Sequence, residues 1–266
     1  MKHSSFEVMF MSKVNVLVLR GPGSNCDQET AFAFQQAGAS ASLCHINQLI
    51  RHERRISDYQ VFVIPGGFTY GDDIAAGRVL GNELRLKLGE DIRQFVDNGG
   101  LILGICNGFQ VMAKSGILPD MQKPEAPPLT LTNNDSGRFE CRWVNLLVNK
   151  KSPCVFTRDL DSIYLPVAHG EGKVVTDMRG LRELNAVLYY TDETGDRQAG
   201  YPHNPNGSMD NIAGVCDSTG RIFALMPHPE RHIRFTQHPQ WTRKKPKEFG
   251  DGFAIFQNAV KFAKTK

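Results

Sequence analysis

Short apolar runs that end in glycine or polar turns alternate along the first half of the chain with stretches whose apolar residues recur at helical spacing. Residues 14–19 (VNVLVL) read as a buried first strand rich in β-branched side chains. They run into a tight loop at 20–27 (RGPGSNCD), and a helix is predicted from about 28 to 37, stopping at Gly38. A short second strand is expected at 39–46 and a third at 59–64 (YQVFVI). Leu84, Leu88, Ile92, Phe95 and Val96 mark one helix over 83–98, closed by Gly99 and Gly100. The apolar run 101–105 reads as a fourth strand, and 109–114 reads as the start of the next helix. Strand, glycine loop and helix in succession open a doubly wound α/β fold.

After Pro119 the pattern changes. Pro124, Pro127 and Pro128 punctuate a linker, and shorter strands are expected at 138–148, 162–166 and 172–175. A further strand at 222–226 leads into 227–232 (PHPERH), and 252–264 read as a last amphipathic helix. The predicted class is α/β, an open, mostly parallel doubly wound sheet with antiparallel additions. The expected organisation is a loose leader at 1–12 and one domain over 13–266.

Composition narrows the function. At 266 residues, 41% hydrophobic and 22% charged, the chain is an ordinary globular length that needs no staple. A formal charge of +3 is too small to argue for nucleic acid or an anionic membrane. No run has the length of a membrane span, and the first residues lack a signal peptide's apolar core. Six scattered cysteines without a CxxC pair fit free thiols in a reducing cytoplasm rather than a disulfide framework or a zinc site.

Cys106 lies between Gly104 and Gly108 at a strand-to-helix turn. Such a turn pushes the side chain out of the sheet, small neighbours let the backbone fold sharply behind it, and the N–H groups of the helix start favour a thiolate. The alternative is a buried core cysteine, which would not need glycine on both sides. A cysteine nucleophile requires a base and a group to orient it. His228 ends a predicted buried strand, and Glu230 stands two residues on. Flanking prolines at 227 and 229 keep the segment extended or turned, which puts both side chains on one side. The same prolines argue against His228 and His232 as metal ligands at helical spacing, so no metal is expected. Gly66 and Gly67 leave the third strand, and their exposed N–H groups can approach a ligand closely. The 20–27 loop lacks the end of a P-loop and does not fit GxGxxG, so nucleotide binding is not expected there.

Residues 104–110 (GICNGFQ) together with the distant 228–230 (HPE) resemble the class I, or triad, glutamine amidotransferases. Adding 23–27 (GSNCD), 65–73 (PGGFTYGDD), 169–172 (HGEG) and 204–208 (NPNGS), the chain is similar from about residue 14 to 260 to one branch of that family, the glutaminase subunits of phosphoribosylformylglycinamidine synthase. The resemblance implies that Cys106 attacks the side-chain amide of L-glutamine, His228 passes protons and Glu230 orients it. It further implies an oxyanion hole from the N–H groups of Gly66, Gly67 and Asn107, and a glutamine pocket lined by Gln110, His169, Gly170 and Glu171. No cofactor is implied in this chain; ATP and Mg belong to a separate large synthetase subunit, accompanied by a small third subunit. Ammonia released into water would protonate, so it must be handed directly to that synthetase. The basic tail at 241–247 and the 204–208 loop are the expected docking surfaces, and the role of Cys26 is open. The competing readings are a stand-alone cysteine hydrolase or deglycase of related elbow fold, a non-catalytic binding subunit, and a glutaminase serving another synthetase. Asn107 and the distance of His228 from Cys106 argue against the first, and the complete Cys–His–Glu set against the second. The 23–27 and 204–208 matches argue against the third.

Overall fold

The computed structural model describes residues 13–123 and 125–265, so the expected leader at 1–12 lies outside them. The first half contains β1 (Asn15–Arg20), α1 (Asp27–Gln36), β2 (Ser40–His45), α2 (Ile46–Ile50), β3 (Val61–Ile64), α3 (Arg78–Lys87), α4 (Gly89–Asp97), β4 (Leu101–Ile105) and α5 (Asn107–Ser115). The second half adds β5 (Thr130–Thr132), β6 (Glu140–Val148), β7 (Ser162–His169), β8 (Lys173–Val175), α6 (Gly180–Glu183), β9 (Asn185–Thr191), β10 (Ile212–Cys216), β11 (Ile222–Leu225) and α7 (Phe253–Ala263).

Nine strands form one sheet in the order β2-β1-β3-β4-β11-β10-β9-β6-β7, and β5 pairs with β8 in a small second sheet. Strands β2, β1, β3, β4 and β11 run parallel; β10, β9, β6 and β7 continue the sheet in antiparallel pairs. The parallel strands β3, β4 and β11 are buried along their whole length, which is why they read as continuous apolar runs rather than alternating ones. Ile64 is in register with Gly104, and Leu225 with Ile105. That register brings the segments following β3, β4 and β11 out at the same edge of the sheet, where ligands bind in open α/β folds. α1 and α7 pack together through an edge-to-face Phe34–Phe256 contact with ring centroids 5.0 Å apart. α5 lies so close to the sheet that a Cβ on Gly108 would stand 1.9 Å from the Ile64 carbonyl oxygen. No helix among the described residues is long and apolar enough to cross a membrane.

Three expectations change. The single helix over 83–98 is two, because Leu88 adopts φ −128° between α3 and α4 and buries its side chain at the break. The charged run at 51–55, whose composition suggests a solvated helix face, is solvated but lies in the turn that follows α2. The strands β5 and β9 were not expected; β9 is interior to the sheet and buried on both faces over most of its length, so it shows no polar alternation.

Candidate active site

Cys106 stands between β4 and α5 with φ 51° and ψ −105°, a conformation a non-glycine residue adopts only when its surroundings impose it. The residue is 5% exposed, and its Sγ lies 3.7 Å from the Ala168 carbonyl oxygen at the end of β7. The strand-to-helix elbow expected from the sequence is therefore present, with α5 beginning at Asn107.

His228 and Glu230 follow β11. The chain enters a 3-10 turn, Pro229–Arg231, in which the two side chains face each other. His228 Nδ1 and Glu230 Oε1 are 2.6 Å apart, both side chains buried. With the ionised carboxylate as acceptor, Nδ1–H donates and Nε2 is free to accept a proton. Nε2 has no hydrogen-bond partner among the described residues, and neither does Glu230 Oε2. Burial by itself would keep the imidazole neutral, but the Glu230 carboxylate and then the Cys106 sulfur outweigh it. They hold the His228 pKa well above the usual histidine value. The site thus favours an imidazolium at His228, beside the Cys106 sulfur.

The turn after β3 lies against both. A Cβ on Gly66 would meet His228 Cε1 at 2.9 Å, Cys26 Sγ at 3.0 Å and Cys106 Cβ at 3.5 Å. Gly67 has φ +144°, and a Cβ there would stand 2.7 Å from the Gly23 carbonyl oxygen, so only glycine fits. The loop after β1 braces this turn: Phe68 N–H donates to Gly23 O at 3.0 Å, Cys26 N–H to Gly66 O at 3.3 Å and Tyr70 N–H to Pro22 O at 2.8 Å.

Asn107 is fully buried and ties the elbow to the same segment. Its Oδ1 accepts from Thr69 Oγ1 at 2.7 Å and Thr69 N–H at 3.2 Å, while Nδ2 donates to Gln110 Oε1 at 2.8 Å and Asp72 Oδ1 at 3.2 Å. Gln110 Nε2 donates to the Glu171 carbonyl oxygen at 2.6 Å. Asp72 and Glu171 face each other across this corner. Burial, and then the Glu171 charge, push the Asp72 carboxyl up to about 6.

The expected pocket residues converge here, but two of them play a different part from the one expected. The Gln110 amide is committed at both ends and braces the elbow against the 169–172 turn. His169 is 2% exposed, with Nδ1 3.1 Å from Asn134 Oδ1 and Nε2 3.5 Å from Asn206 Nδ2. Burial, then the nearby His228 charge, pull its pKa down to about 3. This ring is a neutral spacer that holds the turn, and it offers no free polar atom. Gly170 O accepts from Asn134 N–H at 2.9 Å, and the Glu171 side chain remains half-exposed.

The 204–208 loop is likewise not a docking surface. Asn206 is fully buried, and its Nδ2 donates to Gly172 O at 2.9 Å and Tyr190 OH at 3.2 Å; Ser208 Oγ accepts from Val174 N–H at 2.9 Å. Replacing Asn206 with alanine is expected to strand several buried polar atoms and destabilise the protein by about 2–3 kcal/mol. Urea unfolding measures this, and a change within about 0.5 kcal/mol would contradict the bracing role. The basic tail is exposed as expected, with Trp241, Arg243, Lys244, Lys245 and Lys247 all at the surface.

Cys26 and Arg231 were given no place in the site from the sequence, yet both stand beside the His228–Glu230 pair. Cys26, His228 and Glu230 place potential metal-ligand atoms within 4.8 Å of one another. The Arg231 guanidinium reaches to 3.1 Å from Cys26 Sγ, however, so a positive charge already occupies that flank and opposes a cation.

A family model described as a CobB/CobQ-like glutamine amidotransferase domain matches residues 13–263. The chain is 56% identical over 254 residues to the phosphoribosylformylglycinamidine synthase subunit PurQ of Dehalococcoides mccartyi, covering 96% of this chain and 99% of that one. It is 43% identical to the subunit of the same name from Methanococcus maripaludis, covering 93% and 96%. Among solved structures it resembles a chain of PurLQS from Thermotoga maritima, with a TM-score of 0.73 and 32% identity over 94% of this chain and 99% of that one. Elbow, buried His–Glu pair and braced glycine turn occur in a chain that matches these proteins over nearly its full length, and the chain belongs to the glutamine amidotransferases, in the family of PurQ subunits of phosphoribosylformylglycinamidine synthase.

Proposed function

We propose that this chain is the glutaminase subunit of phosphoribosylformylglycinamidine synthase, hydrolysing L-glutamine through Cys106, His228 and Glu230 and passing ammonia to a separate ATP-dependent synthetase. The observation that carries the reading is the close approach around one glycine, Gly66, where an added Cβ would meet His228 Cε1, Cys26 Sγ and Cys106 Cβ all within 3.5 Å. Three adjacent parallel strands bring those groups together.

The chemistry follows from the geometry. The Cys106 thiolate attacks the glutamine side-chain carbonyl carbon, and the oxygen takes up the negative charge of the tetrahedral intermediate. Gly67 and Asn107 N–H groups, set by the braced turn and by the start of α5, are the donors for that oxyanion. His228 protonates the amide nitrogen as the C–N bond breaks, releasing ammonia and leaving a glutamyl thioester. The now neutral Nε2 takes a proton from water, which attacks the thioester and frees glutamate and the thiolate. Glu230 stabilises the imidazolium and fixes its tautomer without itself accepting the proton. Glu171, half-exposed at the corner beside Asp72, is the side chain of the 169–172 turn that can meet substrate.

ATP and Mg act in the partner synthetase, a large subunit joined by a small third one, and the complex works in the cytoplasm. The test is glutamate release by the purified chain, alone and assembled with those subunits, followed together with glutamine-dependent formation of formylglycinamidine ribonucleotide. Folded protein that releases no glutamate in either setting would sink the assignment.

A further inference from the structure

A buried thiol and a guanidinium stand beside the triad and take no part in the steps above. Cys26 is 1% exposed; its Sγ lies 3.1 Å from Arg231 Nη2 and 3.1 Å from Asn25 Oδ1. The same sulfur lies within 4.8 Å of ligand-type atoms of both His228 and Glu230. On its other side Arg231 Nε donates to Glu29 Oε1 at 3.0 Å, in the first turn of α1. The Glu230 carboxylate, meanwhile, is buried with one oxygen unpartnered. A negative charge in that position needs positive charge nearby, and among the described residues the His228 imidazole is the group its carboxylate pairs with directly.

We infer that Arg231, held in place by Cys26 and Glu29, is a positioning residue of the triad whose charge sustains the ionised Glu230 and Cys106 and so sets the pH at which the nucleophile forms. A cation one sulfur atom away from the His–Glu pair favours the anionic form of every acid it faces. Cys26 suits the gap because it touches both sides without adding charge. Its thiol is pushed up to about 11 by burial first, so it stays neutral and is not a second nucleophile. The groups that face this centre are Glu230 and Arg231 from the turn after β11, Cys106 and Cys26 from the turns after β4 and β1, Glu29 from α1, His169 from β7 and Tyr190 from β9. Of these, only Arg231 carries a permanent positive charge. The inference rests on Cys106 being the glutaminase nucleophile, and it adds what tunes that residue.

Two readouts separate the claims. One is the rate of Cys106 carboxamidomethylation by iodoacetamide against pH, followed by peptide mass, which needs no turnover. The other is the pH profile of glutamate release by the assembled complex. Arg231→Gln removes the cation, raises the pKa of the acids it faces, and is expected to move the acidic limb of both profiles up by about half to one pH unit. Arg231→Lys should restore most of the shift. Glu29→Gln, at the half-exposed end of the ion pair, removes an opposing negative charge and should move the limb the other way. Opposite signs from the two charge removals are not what simple loss of packing produces. An alkylation limb unchanged in Arg231→Gln, or one that only loses rate equally at every pH, would overturn the inference. An alkylation limb that shifts in Arg231→Gln while the wild-type complex releases no glutamate would instead overturn the glutaminase reading and leave the tuning of Cys106 standing.

Discussion

Cys106→Ala is expected to reduce glutamine hydrolysis by the assembled complex by about 10⁴-fold or more, to the level of an enzyme that has lost covalent catalysis. In the proposed mechanism the sulfur forms the thioester, and no other described thiol is placed to replace it. Cys26 is the only other cysteine near His228, and burial pushes its pKa up to about 11. The fold should survive, because the substitution removes one atom, whose contact to Ala168 O is long at 3.7 Å, from a position 5% exposed. The left-handed backbone at Cys106 is unchanged by alanine, so thermal unfolding should move by no more than a few degrees. Synthesis supplied with free ammonia should proceed at its normal rate, since the defect lies upstream of the synthetase. Glutamine-dependent turnover remaining within about tenfold of wild type would remove Cys106 from the role of nucleophile.

Substitution of Glu230 by glutamine should cost about 10³–10⁴-fold in kcat, with little change in KM. The amide is nearly isosteric, so the cost is electrostatic. The carboxylate accepts from His228 Nδ1–H at 2.6 Å and is the group that raises the His228 pKa most, against the opposing effect of burial. Without it the imidazolium loses its counter-ion, the ring pKa falls, and the thiolate–imidazolium pair shifts toward thiol and neutral imidazole. Glutamine can also turn its NH₂ toward the ring and select the wrong tautomer. Stability should hold or rise slightly, because a buried carboxylate with one unpartnered oxygen is removed. The pairing of lost activity with retained stability is the diagnostic result, read from steady-state kinetics and urea unfolding together. A kcat within threefold of wild type would mean that Glu230 only fills space.

The cysteine elbow and the His228–Glu230 pair were legible in the residues because they are encoded locally. An apolar run broken by Gly104, Cys106 and Gly108 can form little other than an elbow, and His228 and Glu230 two apart around Pro229 can meet only on one side. Period and β-branching also exposed the parallel strands, since strands buried on both faces are apolar throughout. The helix break at Leu88 was hidden because both halves keep the same apolar spacing; packing of α3 and α4 decides it. The two motifs that mark the branch, 23–27 and 204–208, look like exposed loop tips from their glycine, asparagine and proline content. They are instead internal braces, one behind the Gly66–Gly67 turn and one behind the 169–172 turn.

What the linear pattern determined by itself was the α/β class, the cysteine elbow at 104–108, the pairing of His228 with Glu230, and the glycine turn beside them. Tertiary structure alone decided which polar residues have their hydrogen bonds satisfied inside the frame. Gln110, His169 and Asn206 carry groups suited to binding, but each satisfies them internally, as buried polar atoms must. It also decided that Arg231 stands beside the triad, joined to Glu29 across 202 residues of chain. Hydrogen bonds and charge pairs between segments that far apart leave no periodic trace in sequence, because their partners are chosen by the register of β1, β3, β4 and β11 rather than by neighbours along the chain.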